Sequence, residues 1–421
     1  IQLHGLNIDE ICDLMKEALD NDIYTRGAGG NYPRNVAMSP LAGVDPNEVF
    51  DVTPYGLAIG NYFLERIYTY KLPRKLKVSL SSGKDDAAHC TIQDLGFVAV
   101  NKDGKEYFEV YLGGGLGQNP KMAAKYNDLI EPKNVLYYVE AMVRMFMAEG
   151  DYENRNRARI RYILDRMGEK DFLDCYRKHV NEVMEKENLE IDVKPKDYDK
   201  KGIEIQLEDS RLFKQKQEGL YYVEYHPAGG DANVEHLLAA LDYAVTLDQV
   251  EARIAPDQAL FFINLTADEA RKIAEITDDS AENDFRRSVS CVGSTICQIG
   301  MQDSNGLLKD IFAHLEKKGV DTRKLPRLHI SGCPHSCGTH QIGEIGFHGA
   351  VKLVDKKPMV AFILVDGGSE HMGSENFGKM AGNIVATKIP EFLESLANIL
   401  NESPEPDFGT WRMTHKAQYM E

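Results

Sequence analysis

Polar and apolar positions along this chain change period in a fixed order, and that order occurs twice. In KLPRKLKVSLSSGKDDAAHCTIQDLGFVAV (71–100) an alternating segment gives way to a polar loop and resumes as an apolar run through Gly-Phe. KLPRLHISGCPHSCGTHQIGEIGFHGAV (324–351) repeats the sequence of events, and each copy is followed by a second glycine cluster, YLGGGLG (111–117) and LVDGGSEHMG (364–373). Alternation of this kind predicts strands, and the polar stretches predict loops. Upstream, IQLHGLNIDEICDLM (1–15) matches LFFINLTADEARKIA (260–274). Both predict an apolar strand that runs through an N-cap, Asn7 or Thr266, into a helix with apolar residues three and four apart. Because Ile1 falls within such a strand and is not a methionine, the chain reads as a fragment or a processed product.

Between the copies, 137–184 has helical periodicity, with Val139, Met142, Val143 and Phe146 on one face. Residues 185–218 are rich in Lys, Glu and Asp and read as an exposed connector. Strand–helix units repeated in this way predict an α+β fold of several domains, with two related halves facing each other across a pseudo-two-fold axis.

Composition narrows the class. The 421 residues are 43% hydrophobic and 27% charged, long enough for more than one core. Lys plus Arg is 49 and Asp plus Glu is 66, a formal charge of −17, which argues against sequence-independent nucleic-acid binding. An anionic ligand would therefore need a locally basic pocket. No run approaches the ~18 apolar residues of a membrane span, and no signal-peptide pattern is present. Seven cysteines in this length do not form a secreted disulfide framework, so a reducing cytoplasm is expected.

Four of those cysteines cluster. SCVGSTICQIG carries Cys291-x5-Cys297, and SGCPHSCG carries Cys333-x3-Cys337. Four thiolates converging from two loops can hold a [4Fe–4S] cluster or a tetrahedral zinc, although structural zinc usually uses tighter spacing in both pairs. His329, His335 and His340 lie among them, and none is needed if the thiols suffice. Cys12, Cys90 and Cys175 are scattered and read as small core residues.

The first copy carries cations. Arg74, Lys75 and Lys77 occupy the strand whose second copy leads into Cys333, and Lys75 and Lys77 are two apart, on one face of it. Arg34 lies in GGNYPRNVAMSPLAG, which matches the segment holding Cys291 and Cys297. The three basic positions are thus expected in register with the thiols, forming a basic pocket opposite the cluster that suits a small anion. In ENRNRARIRYILDR (153–166), Arg155, Arg159 and Arg166 are spaced for one helix face, with Arg161 nearby. Beside a ligand with many carboxylates they would form a clamp.

C-x5-C followed by GCP-x-S-C-G, with PRKLK and PRNV upstream, resembles the sirohaem and [4Fe–4S] sulfite and nitrite reductases of the assimilatory type. The likeness runs from Ile1 to about residue 400. It implies two ferredoxin-like/α+β halves around a central cofactor site. On that pattern 1–30 would be the remainder of the N-terminal half of the ferredoxin-like domain, and 31–200 the sirohaem and substrate domain. The second ferredoxin-like half would be 201–280, and the iron–sulfur domain 281–421. The resemblance implies Cys291, Cys297, Cys333 and Cys337 as cluster ligands, with Cys337 bridging to the sirohaem iron. It places Arg34, Lys75 and Lys77 at anion-binding and proton-supplying positions. Gln2, His4, Arg74 and Arg159 fall at positions that hold sirohaem carboxylates.

The implied reaction is the six-electron reduction of sulfite to sulfide, or of nitrite to ammonia. Electrons would come from a partner, a ferredoxin or a flavoprotein or iron–sulfur reductase, because the chain shows no dinucleotide or flavin signature. Nitrite reductases of this family commonly have asparagine where Lys77 stands, which favours sulfite here. CVGSTIC and GCPHSCG look closer to the bacterial nitrite type. His335 replaces the family's usual asparagine, and two further arginines of the family pattern would lie before Ile1. A non-catalytic iron–sulfur or zinc protein on the same fold is the competing class, and the Arg34, Lys75 and Lys77 set argues against it.

Overall fold

The computed structural model describes residues 3–420 apart from 28, 207, 208 and 210, and of 416–420 the backbone alone. Gln2 therefore lies outside the described residues. The chain divides into two compact units, one drawn from 1–43, 49–115 and 121–196, the other from 44–48, 116–120 and 197–421.

The first unit opens with helix α1 (Ile8–Asp20), for which Asn7 and Glu10 form a reciprocal capping box. Residues 3–6, expected as a strand, are irregular among the described residues, and no neighbouring strand pairs with them. An isolated extended segment has no ladder to hold it. The core elements follow as β1 (Ala37–Met38), α2 (Thr53–Arg66), β2 (Val78–Ser81), β3 (Leu95–Lys102), β4 (Lys105–Leu112) and β5 (Ala124–Lys125). The strands form one sheet in the order β1-β2-β3-β4-β5, parallel from β1 to β3 and antiparallel thereafter.

Helices α3 (Val135–Glu149), α4 (Ile160–Met167) and α5 (Glu169–Lys186) complete the unit. α3 buries almost its whole circumference rather than a single face, because it packs into the core with Phe97, Phe108 and Tyr176. The arginine stripe expected on one helix face is broken. Arg155 lies in a short 3-10 turn and Arg159 is the N-cap of α4, so only Arg161 and Arg166 are helical.

In the second unit, β6 (Leu212–Lys214), β7 (Tyr221–Tyr225), α6 (Val234–Ala244), β8 (Glu251–Ile254), β9 (Leu260–Leu265) and α7 (Ala267–Ile276) build an antiparallel sheet ordered β6-β7-β9-β8. Its core of Val223, Phe262 and Ile273 is separate from the next. β6 falls inside the segment read as an exposed connector: its Leu212 is buried, and the charged residues around it hide a short edge strand. The unit then continues through β10 (Val289–Ser290), α8 (Ser304–Lys318), β11 (Leu328–Ser331), β12 (Ile345–Val354), β13 (Lys357–Asp366), β14 (Lys379–Val385), α9 (Ile389–Glu402) and α10 (Phe408–Met420).

Sheet β10-β11-β12-β13-β14 repeats the first five-stranded sheet in order and in direction. The register is the same as well. Val78 pairs with Leu95 as Leu328 pairs with Ile345, so the inner strands of the two copies are 250 positions apart. One close approach recurs in both. A Cβ at Gly96 would strike the Cys90 carbonyl, and one at Gly346 the His340 carbonyl, because the loop folds back over the start of the third strand. Gly96→Ala and Gly346→Ala are each expected to cost about 3 kcal/mol or more in urea unfolding. Gly60→Ala, on α2 where a Cβ meets nothing, should raise stability by about 0.5–1 kcal/mol.

Candidate functional site

In the second unit the thiols sit where two parallel strands end. Cys291 extends β10 by one residue, its N–H donating to the Ile330 carbonyl at 3.0 Å. Its sulfur accepts the Gly332 N–H at 3.1 Å and lies 3.1 Å from the Ser304 hydroxyl at the start of α8. The chain then turns sharply. Cys297 N–H donates to the Gly293 carbonyl at 2.8 Å, and Ser294 N–H to Gln302 at 3.0 Å.

The second loop leaves β11 and is pinned by Ser331, whose hydroxyl oxygen accepts the Gly338 N–H at 3.0 Å and lies 3.0 Å from His340 Nδ1. Ser336 and Thr339 adopt left-handed φ values of 60° and 51° to make the turn. A side chain at 338 would strike the Ile330 carbonyl. His329 meets the Thr339 hydroxyl at 2.7 Å, and the His340 ring lies 4.8 Å from that of His348, tilted by 45°. Burial first, then His348 and His329, hold the His340 imidazole down at about 3, so it stays neutral inside the scaffold. His335 is exposed, with Nδ1 at 3.3 Å from the Cys333 sulfur.

Cys333 is buried, Cys291 and Cys297 are partly so, and Cys337 is exposed. Burial pushes the Cys333 thiol up, a backbone hydrogen bond at His335 opposes this, and the nearby Cys291 and Cys297 add to it. The three sulfurs thus feel one another. Yet among the described residues the one group of three His, Cys, Asp or Glu ligand atoms within 4.8 Å of each other is His236, Asp278 and Asp279. A tetrahedral zinc with bonds of about 2.3 Å needs its sulfurs about 3.8 Å apart. Four thiols from two loops fit an iron–sulfur core, and among the described residues no three of them are drawn together as closely as a zinc site requires.

The first unit builds the same loop without the thiols. Ser39 N–H donates to Leu80 at 3.1 Å and Ser39 Oγ accepts the Ser82 N–H at 3.0 Å, the two bonds made by Cys291 in the other copy. Ser81 accepts the Ala88 N–H at 3.1 Å as Ser331 accepts that of Gly338, and Asp86 and His89 take the left-handed places of Ser336 and Thr339. Gly83 and Ala87 therefore stand where Cys333 and Cys337 stand.

The cations lie elsewhere in this frame, which corrects the expected register. Arg34, Arg74, Lys75 and Lys77 precede β1 and β2, whereas the cysteines follow β10 and β11. Equivalent positions of the two groups are thus separated by about one strand, roughly 13 Å. Repeat alignment fixes which strands correspond but not which end of each strand a flanking motif occupies.

Leu76 bridges to Pro33 and is buried, so Lys75 and Lys77 point to the other side, Lys75 half-buried and Lys77 exposed. Arg34 holds the Gly30 carbonyl at 2.9 Å. Burial, then Lys77, Arg159, Arg34 and Arg74, lower the Lys75 ammonium to about 8. Burial likewise lowers Arg34, with Arg159 adding, and Arg74, with Arg155, Arg159 and Arg34 adding. Arg159 is held on buried Asp94 by two hydrogen bonds, of 3.2 and 2.8 Å, and Asp94 also accepts the Lys77 N–H at 2.9 Å. His4 is exposed.

Arg161 was noticed in the sequence only as a neighbour of the stripe, yet it is the most deeply buried arginine of that segment. It is 7% exposed, and its Nε and Nη1 have no hydrogen-bond partner; they lie over the Tyr162 ring and against Gly115. Buried guanidinium without a counter-charge costs free energy that a bound anion would recover. A lone arginine in a basic run gives no sequence signal of this, since burial is set by how α4 packs.

One copy of a duplicated α+β scaffold thus carries four thiols able to hold a metal, and the other carries a cluster of cations. Residues 29–184 match the family model described as "Nitrite and sulphite reductase 4Fe-4S domain". The match falls on the copy whose loop carries Ser39, Gly83 and Ala87. The chain is 25% identical over 408 residues to a ferredoxin–nitrite reductase of Synechococcus elongatus, covering 94% of this chain and 77% of that one. It is 26% identical over 362 residues to "Sulfite reductase [ferredoxin] 1" of Mycolicibacterium paratuberculosis, covering 83% and 62% respectively. The fold is that of the Mycobacterium tuberculosis NirA structure, with a TM-score of 0.78, 22% identity and coverage of 98% and 76%. Residues 29–184 thus match that family's model, and the chain resembles nitrite and sulphite reductases along most of its length. No helix among the described residues is long and apolar enough to cross a membrane.

Replacing Arg161 with methionine, which keeps the stem and deletes the charge, should raise the stability of the cofactor-free chain by about 1–2 kcal/mol in urea unfolding. A comparable loss of stability would mean that the guanidinium already has a partner.

Proposed function

We propose that this chain reduces a small oxyanion, sulfite in preference to nitrite, with a [4Fe–4S] cluster on Cys291, Cys297, Cys333 and Cys337 and a sirohaem bridged through Cys337. The observation that carries this reading is the charge around Lys75: after burial, the four groups that lower its ammonium most are the cations Lys77, Arg159, Arg34 and Arg74, which makes the place suited to an anion. When bound, the two cofactors would supply single electrons and an open iron for the substrate.

The chain's own residues bind and protonate. Arg34, Lys75 and Lys77 hold the anion's oxygens, and an ammonium lowered to about 8 can give up a proton near neutral pH and regain it. Arg74, Arg159 and Arg161, with Gln2 and His4, hold the carboxylates of the macrocycle. Arg159 keeps its bond to Asp94 and offers its remaining N–H groups. The second ammonium at Lys77 favours doubly charged sulfite over singly charged nitrite. The electron donor is a separate protein, a ferredoxin as in the names of the relatives. Since the chain carries −17, the donor would dock on a local basic patch.

An ultraviolet–visible spectrum of anaerobically purified protein, with iron and acid-labile sulfide on the same sample, tests the reading. Chlorin-type bands with iron exceeding sulfide by about one per chain support it. A colourless zinc protein would overturn it. Lys77→Asn should lower sulfite turnover more than nitrite turnover, and equal losses would remove the assigned preference. Because the Lys75 ammonium has lost half its protons at about pH 8, anion affinity should be nearly flat below about pH 7 and weaken as pH rises through 8, as read by optical titration from about pH 6.5 to 9.5.

A further inference from the structure

The Cys291 sulfur has two close polar contacts. It accepts the Gly332 N–H at 3.1 Å and faces the Ser304 hydroxyl at 3.1 Å, while the same hydroxyl donates to the Cys291 carbonyl at 2.8 Å. Ser304 is completely buried, the first residue of α8, with Asp303 as the N-cap. Its single proton therefore lies between two acceptors of one residue. In a free thiol, the sulfur can donate to the hydroxyl oxygen. A sulfur bound to metal has no proton, so any hydrogen bond in that contact must then come from Ser304.

We propose that Ser304 is a positioning residue for Cys291: its hydroxyl and the Gly332 amide donate to the Cys291 sulfur and raise the reduction potential of a cluster held there. This rests on the cluster assignment made under Proposed function. Reduction adds one electron, and part of the added negative charge spreads onto the ligand sulfurs. Hydrogen bonds to those sulfurs are therefore stronger in the reduced state and favour it. Neither donor can be replaced by water, because both lie in a buried corner where β10, β11 and α8 meet. Gly332 cannot be varied cleanly, since a Cβ there would meet the Gln302 carbonyl at 2.5 Å. Ser304 can.

The experiment is an EPR-monitored redox titration of the cluster in the holoenzyme, comparing the parent with Ser304→Ala and Ser304→Thr. Ser304→Ala should keep its iron and sulfide content, with an about tenfold lower ratio of reduced to oxidised cluster at fixed potential. That is a negative shift of about 59 mV for one electron. Ser304→Thr, which keeps the hydroxyl, should restore the parent value. If Ser304→Ala does not assemble, Ser304→Gly deletes the same hydroxyl and carries the same expectation. An unchanged midpoint in a variant lacking the hydroxyl, or a threonine variant that shifts as far as alanine, overturns the role of Ser304. A parent protein with no cluster signal overturns the cluster assignment instead, so the two failures are distinguishable.

Discussion

A serine hydroxyl at the end of an inner parallel strand closes the loop on which each copy depends. Ser331 accepts the Gly338 N–H and Ser81 that of Ala88, at 3.0 and 3.1 Å. Each bond satisfies a backbone donor that would otherwise be buried where the loop crosses back over its own strand, and such a donor is costly to leave unmet. Two left-handed residues and a glycine on the third strand then complete the return. Once that turn is fixed, positions 333 and 337 project from one small surface beside the end of β10, where Cys291 is added. The copy in the first unit keeps the turn with Gly83 and Ala87 at those places. The turn is thus a property of the scaffold, made with or without the thiols.

The same scaffold distributes charge differently in its two copies. Arg286, Arg287 and Arg327, which flank β10 and β11 on the side away from the cysteines, lie against Glu316, Glu224 and Asp257 at 3.5, 2.9 and 3.2 Å. The strand starts of the first copy gather Arg34, Arg74, Lys75 and Lys77, and cations are the charges that shift Lys75 most. Asp94 offsets part of this by taking Arg159 and the Lys77 N–H, which holds the group in place while leaving it cationic overall. Carboxylates pair the cations at these strand starts in one copy, and the other keeps a positive cluster. The acidic chain as a whole provides no field for an anion, so this local excess is what any anion would recognise.

Much of this was legible in the sequence, because the relevant signals are local. Alternation, the two Lys-Leu-Pro-Arg starts, the capping boxes at Asn7 and Thr266 and the cysteine spacings each depend on residues within one turn or one loop of each other. The repeat required only that two such patterns recur in the same order. What was misread was non-local. β6 was hidden in a charged connector because a three-residue edge strand carries no periodicity. The arginine stripe at 155–166 seemed helical because spacing does not reveal that the helix starts at Ile160.

By itself the sequence determined the duplicated α+β units, the recurrence of their strand–loop–strand pattern and the two sets of residues able to carry metal and anion chemistry, since composition and short-range spacing fix these. Only the tertiary structure decided that thiols and cations occupy opposite ends of equivalent strands. It alone placed Ser39 in the site of Cys291, left Arg161 buried without a counter-charge and set Ser304 against a sulfur thirteen positions away. The physical reason is the same in each case. Burial, hydrogen-bond reach and electrostatic neighbourhood are set by which distant segments pack together, and a one-dimensional pattern contains the residues but not those distances.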